Sequence, residues 1–195
     1  MKTTARTTGS RTPLPPPRCG RCEFTSLGYD RRKAAELLLE YAGHWQRVLA
    51  GPDVGRRYSC AAAWSPLEHG CHVRDMCLLF HRRIDTTLGT APSGAPAADG
   101  PEPPPGRDED AGRASEELGL AAEALAGRFA TLTADDWEHE DPRLPELRLT
   151  VDFLTRHFLH DIVHDLSEVL RRPQGIPSGG TPRIRTESSG QPWLS

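Results

Sequence analysis

Lysine is almost missing from this chain of 195 residues: Lys2 and Lys33 stand alone, and arginine supplies every other basic side chain. Long apolar runs are missing too. None approaches the roughly 20 residues that cross a bilayer, and the first residues are polar where a secretory leader needs an apolar stretch. A soluble cytoplasmic protein is expected. Charge of one sign is not in excess either, since the formal net charge is -3. That excludes a strong electrostatic footprint for nucleic acid or an anionic membrane surface. The five cysteines are an odd set without a secretory context, so reduced thiols are expected rather than a disulfide framework.

Proline and glycine are abundant instead, at 18 each against 36% hydrophobic residues, too many for a chain that is helical throughout. They collect at residues 1–17, 91–106 and 174–195, where the composition favours solvated, extended backbone. The expected organisation is a disordered arm over 1–29 that carries Cys19 and Cys22, a folded unit over 30–172 interrupted by a long Pro-rich connection, and a disordered tail over 173–195.

Within the folded unit the apolar spacing is helical. Ala34, Leu37, Leu38, Tyr41, Trp45, Val48 and Leu49 mark a first helix, stopped by Gly51-Pro52. Ser65-Pro66-Leu67-Glu68 reads as a capping box with proline at the first helical position, opening a second helix to about Leu88. A third runs over about 114–132 on Leu118, Ala122, Leu125 and Phe129, and a short piece around Trp137 follows. The last begins near Thr150 as N-cap and ends at Arg171 and Arg172 before Pro173. With no strand pattern, four helices predict an all-α bundle.

On the last helix His157, His160 and His164 form a stripe of their own, within an arc of about 60° at 100° per residue. His160 and His164, four residues apart, can both reach one ion, and His72 on the second helix is the candidate third ligand, with His69 competing for that place. Three protein ligands leave a coordination position for water or a thiolate. Asp161, four residues past His157, and Glu168, four past His164, are candidates to orient a ring. The bland alternative is a histidine pair at the edge of the core. Cys19-Gly20-Arg21-Cys22 looks like half of a zinc knuckle whose completion needs Cys60, a histidine or another subunit; the default is an exposed thiol pair.

The segments Trp64-Ser65-Pro66-Leu67-Glu68-His69-Gly70-Cys71-His72-Val73-Arg74-Asp75 and Leu159-His160-Asp161-Ile162-Val163-His164-Asp165 resemble the two metal-ligand motifs of the DinB-like superfamily. Its relatives include the N-terminal domains of mycothiol-dependent maleylpyruvate isomerases and the bacillithiol S-transferases. His72, His160 and His164 match the ligand positions of that pattern. The resemblance spans 30–172 and implies an up-and-down four-helix bundle, often a homodimer, that binds zinc, nickel or a similar divalent ion. It also implies a low-molecular-weight thiol, mycothiol-like, whose thiolate the metal activates towards an electrophile. Two departures stand out: the chain is too short for the second domain of the maleylpyruvate isomerases, and the Pro-rich stretch replaces an ordered aromatic-acidic segment. Two functions from different classes follow, a metal-dependent thiol transferase and a non-catalytic metal-binding bundle. Nucleic-acid binding through the arm ranks last.

Overall fold

Asp30 begins the folded unit by accepting a hydrogen bond from the Arg32 N–H, which caps a short 3-10 turn, Arg31–Lys33, that runs straight into the first helix. The computed structural model of the chain describes residues 19–22, 24, 28–55, 64–91 and 109–171. The expectations for the Pro-rich connection beyond Ala91, for the C-terminal tail and for Cys60 lie outside the described residues.

Among the described residues five α-helices follow in order: α1 Ala34–Leu49, α2 Pro66–Thr87, α3 Ala111–Thr131, α4 Ala134–Glu138 and α5 Val151–Arg171. The capping box of α2 forms as its sequence dictates. The Ser65 hydroxyl accepts from the Glu68 N–H at 3.2 Å, and Glu68 Oε2 accepts from the Ser65 N–H at 2.7 Å. Thr150 accepts from the Phe153 N–H at 3.1 Å and so starts α5 where its sequence places it. The third helix opens three residues earlier than its apolar stripe indicated, because Asp110 accepts from the Arg113 N–H and supplies the cap. The short piece around Trp137 is α4, closed by a second capping box between Thr133 and Asp136.

The chain is all-α. Among the described residues extended pairing is limited to one isolated antiparallel bridge, Glu140 with Thr150. Helix α3 packs on both α1 and α2, and α5 packs on both as well. One continuous core results, with Trp45, Leu118, Leu125, Leu159 and Ile162 fully buried, each contributing about 1.5–3 kcal/mol by leaving water. Phe80 of α2 stacks on Phe158 of α5 with ring centroids 4.5 Å apart and meets Phe129 of α3 edge-on. Gly70 lets α1 approach α2: a Cβ there would lie 2.7 Å from Leu49 Cδ2. Arg74 ties α2 to the start of α3 through Glu109 and Glu117, at 2.5 and 2.9 Å. No helix among the described residues is long and apolar enough to cross a membrane.

The bridge has a consequence for the surface. It closes the neck of a loop over 141–149, reinforced by the Asp141 N–H donating to the Leu149 carbonyl at 2.8 Å. Asp141 is wholly buried at the base of this loop. Its carboxylate accepts from the Arg143 backbone N–H and guanidinium and from Arg83 of α2, so the loop is pinned to α2.

Candidate metal centre

Helix α5 presents His160 and His164 on one flank, one turn apart, with ring centroids 5.5 Å from each other. The residues that meet them come from the far end of the sequence. The Cys19 N–H donates to the Phe24 carbonyl at 3.3 Å, and the Arg21 N–H points at Cys19 Sγ at 3.4 Å, which draws residues 19–22 and 24 into a tight knuckle. Phe24 anchors that knuckle edge-on against the His160 ring, centroids 5.7 Å apart. Cys22 is 4% exposed beneath it. The expected exposed thiol pair is therefore corrected: Cys22 is buried, and the Phe24 ring on His160 holds the knuckle against α5, where Cys19 meets His164, 145 residues away in sequence.

Cys19, Cys22, His160 and His164 each offer one ligand atom, and these four atoms lie within 4.8 Å of one another. Cys19 Sγ is 3.6 Å from His164 Nδ1. A tetrahedral zinc centre with bonds of about 2.0–2.3 Å has edges of about 3.3–3.8 Å between ligand atoms, so small side-chain rotations close the set around one ion. The four could hold a metal ion, and their chemistry suits zinc: two soft thiolates and two imidazoles.

The surroundings fit the same reading. His160 Nδ1 faces Asp161 Oδ1 at 3.1 Å, which leaves Nε2 to face the thiols; Nε2 is buried and has no hydrogen-bond partner among the described residues. A buried ring nitrogen without a partner is costly unless something such as a cation takes its lone pair. The approach of the His160 ring, then the Arg21 N–H, pulls the Cys19 thiol down to about 5, which favours the metal-binding thiolate at neutral pH. Burial pushes the Cys22 thiol in the opposite direction, which a metal ion would reverse.

Asp161 is the supporting group. Its Oδ2 lies 2.9 Å from His157 Nδ1 while Oδ1 holds His160, so one carboxylate orients two rings of the stripe. Burial raises the Asp161 carboxyl, but hydrogen bonds from His157 and then His160 outweigh it and keep the group ionised; the same bond to Asp161 raises the His157 imidazole. Asp161→Asn is expected to weaken zinc binding about 10- to 100-fold, read by competition with a chromogenic chelator.

His72 stands apart from this group of four. Its Nε2 lies 3.8 Å from Asp165 Oδ2, the residue after His164, and its ring meets Trp64 edge-on. His69 is 5% exposed, between Trp45 and Trp64 in the core. Cys71 and Cys77 are fully buried away from the knuckle; burial pushes both thiols up to about 12, so they pack as neutral groups, and Cys71 donates to Glu109. Sequence reasoning found both halves of the cluster and did not join them. The one available signal was that Cys-x-x-Cys lacked a second pair while His-x-x-x-His lacked its remaining ligands.

No protein-family model, no curated protein and no solved structure matches this chain.

Proposed function

We propose that the chain is a divalent-metal-binding helical bundle in which Cys19, Cys22, His160 and His164 hold one zinc-type ion that fastens the N-terminal knuckle to α5. The observation that carries this reading is the convergence of the four ligand atoms within 4.8 Å, with His160 Nε2 buried and unpaired among them. Four protein ligands fill a tetrahedral ion, and a filled shell is the mark of a structural site. Cys19 and Cys22 take the positions that an external thiol or water would need. The non-catalytic reading is therefore better supported than thiol transfer.

A second reading rests on His72. Its Nε2 lies 3.8 Å from Asp165, the residue that follows His164 on α5. Should the knuckle leave, His72, His160 and His164 would form the three-histidine set of a DinB-like, up-and-down four-helix bundle. An ion there would keep a position for a low-molecular-weight thiol attacking an electrophile.

Elemental analysis of the purified full-length protein is expected to find about one zinc per chain. Replacing the metal with cobalt(II) then separates the readings. Thiolate-to-cobalt charge-transfer absorption in the near ultraviolet is expected, because two sulfurs bind the ion. Protein with metal but without that absorption would favour the three-histidine set, and protein purified without metal that also fails to take up added zinc would overturn both.

A further inference from the structure

The two sulfurs of the knuckle are not equivalent. Cys19 is partly exposed, whereas Cys22 is buried, and their Sγ atoms belong to the group of four ligand atoms that lie within 4.8 Å of one another. Only Gly20 and Arg21 separate them in sequence, so closing the gap to a sulfur–sulfur bond is a local movement of the knuckle and leaves the bundle in place. The Arg21 N–H, 3.4 Å from Cys19 Sγ, stabilises negative charge on the more accessible sulfur.

The other described thiols stand outside this chemistry. Cys71 and Cys77 are fully buried in α2, and neither belongs to the group of four. Among the described cysteines an oxidant arriving from water therefore meets Cys19 first. Zinc itself exchanges no electrons, but it binds the thiolate form of cysteine, and oxidation removes that form.

We propose, on the four-ligand reading of the metal centre, that the centre is a redox-sensitive latch: a peroxide joins Cys19 to Cys22, the ion leaves, and the N-terminal knuckle is freed from α5. The Cys19 thiolate attacks one oxygen of hydrogen peroxide; the O–O bond breaks, hydroxide leaves, and a sulfenic acid remains on Cys19. The Cys22 thiolate then attacks that sulfur, the S–S bond forms, the S–O bond breaks, and a second hydroxide leaves. Burial of Cys22 is no obstacle, because its target lies inside the cluster. The two sulfurs give up two electrons, the peroxide takes both, and two protons from solvent convert the hydroxides to water. His160 and His164 alone hold zinc far more weakly than the full set, so the ion departs and the arm keeps only non-covalent contacts such as Phe24 on His160. A thiol or phosphine reductant returns both thiolates and restores the site.

The test treats zinc-loaded full-length protein with hydrogen peroxide in the presence of a chromogenic zinc indicator. About one zinc per chain is expected to be released, in step with formation of the Cys19–Cys22 disulfide. Trypsin cuts after Arg21, so that bond appears in the mass spectrum as two linked peptides, 19–21 and 22–31. Limited proteolysis is expected to cut the arm faster after oxidation and to leave the bundle intact. In Cys22→Ser the sulfenic acid on Cys19 lacks its resolving thiol, so dimedone is expected to trap it and the linked peptides to be absent. Protein that carries zinc and retains it in excess peroxide, that loses it without the Cys19–Cys22 bond, or whose arm is cut no faster after oxidation would overturn the latch and leave the metal reading standing. Protein that binds no zinc before oxidation would overturn the metal reading and the latch with it.

Discussion

Replacing Cys19 and Cys22 together with serine is expected to reduce zinc from about one ion per chain to a trace after dialysis against a mild chelator, and the same is expected of His160→Ala with His164→Ala. Serine keeps the size of cysteine but does not ionise at neutral pH, so it removes both soft ligands while leaving the knuckle its shape. The remaining two imidazoles form a far weaker site. The loss also extends beyond the metal. Residues 19–22 and 24 meet α5 through Phe24 on His160 and have no helix or strand of their own, so a bound ion would be the strongest link between arm and bundle. Limited proteolysis is accordingly expected to cut the arm rapidly in the double serine variant and slowly in the zinc-bound parent, with the bundle intact in both. His72→Ala is the comparison: under the four-ligand reading it leaves the zinc content unchanged. Zinc retained by the double serine variant but lost from His72→Ala would reverse the assignment in favour of the three-histidine set.

Asp141→Ala is expected to lower the stability of the fold by about 3 kcal/mol at neutral pH, measured by chemical denaturation. The carboxylate is wholly buried and satisfies Arg83, Arg143 and the Arg143 backbone N–H at once. Alanine leaves those donors facing an apolar gap, although both guanidinium groups are about a quarter exposed and can turn partly to water. The cost therefore falls at the lower end of the range for breaking a buried ion pair. Acid should reproduce part of the effect in the parent. Hydrogen bonding from Arg143 outweighs the opposing effect of burial and holds the Asp141 carboxyl at about 2, below the value near 4 of an unfolded chain. A depressed folded value means that the stabilisation is complete above about pH 4 and drains away as pH falls from 4 towards 2, amounting to about 2 kcal/mol. Asp141→Asn should remove that part of the acid dependence. A melting temperature that falls equally in parent and variant over this interval would show that Asp141 does not carry it.

The helices were legible in the sequence because their determinants are local. Ser65 and Glu68 sit three residues apart and form the capping box whatever the rest of the chain does, and the spacing of Leu38, Trp45 and Leu49 selects a helix face without reference to any partner. Thr150 as the N-cap of α5, and the His160–His164 pair on a single face, follow from the same short-range geometry. So do the two bonds of Asp161, which lies four residues from His157 and one from His160.

What faces those histidines is decided by a contact that closes 145 residues of chain, and no periodicity encodes it. The burial of Cys22 and the edge-on contact of Phe24 with His160 depend on a surface that exists only once α5 has packed on α1 and α2. His72 is a candidate ligand from its place on the second helix and from the motif resemblance, and it meets Asp165 because the crossing of α2 and α5 sets which residue of a turn lies opposite it. The loop over 141–149 becomes the roof of a cavity through the burial of Asp141 between Arg83 and Arg143. Local hydrogen bonding and side-chain spacing thus determined the helices and the histidine pair, whereas the two cysteines that face that pair and the cavity came from packing between segments far apart in the chain.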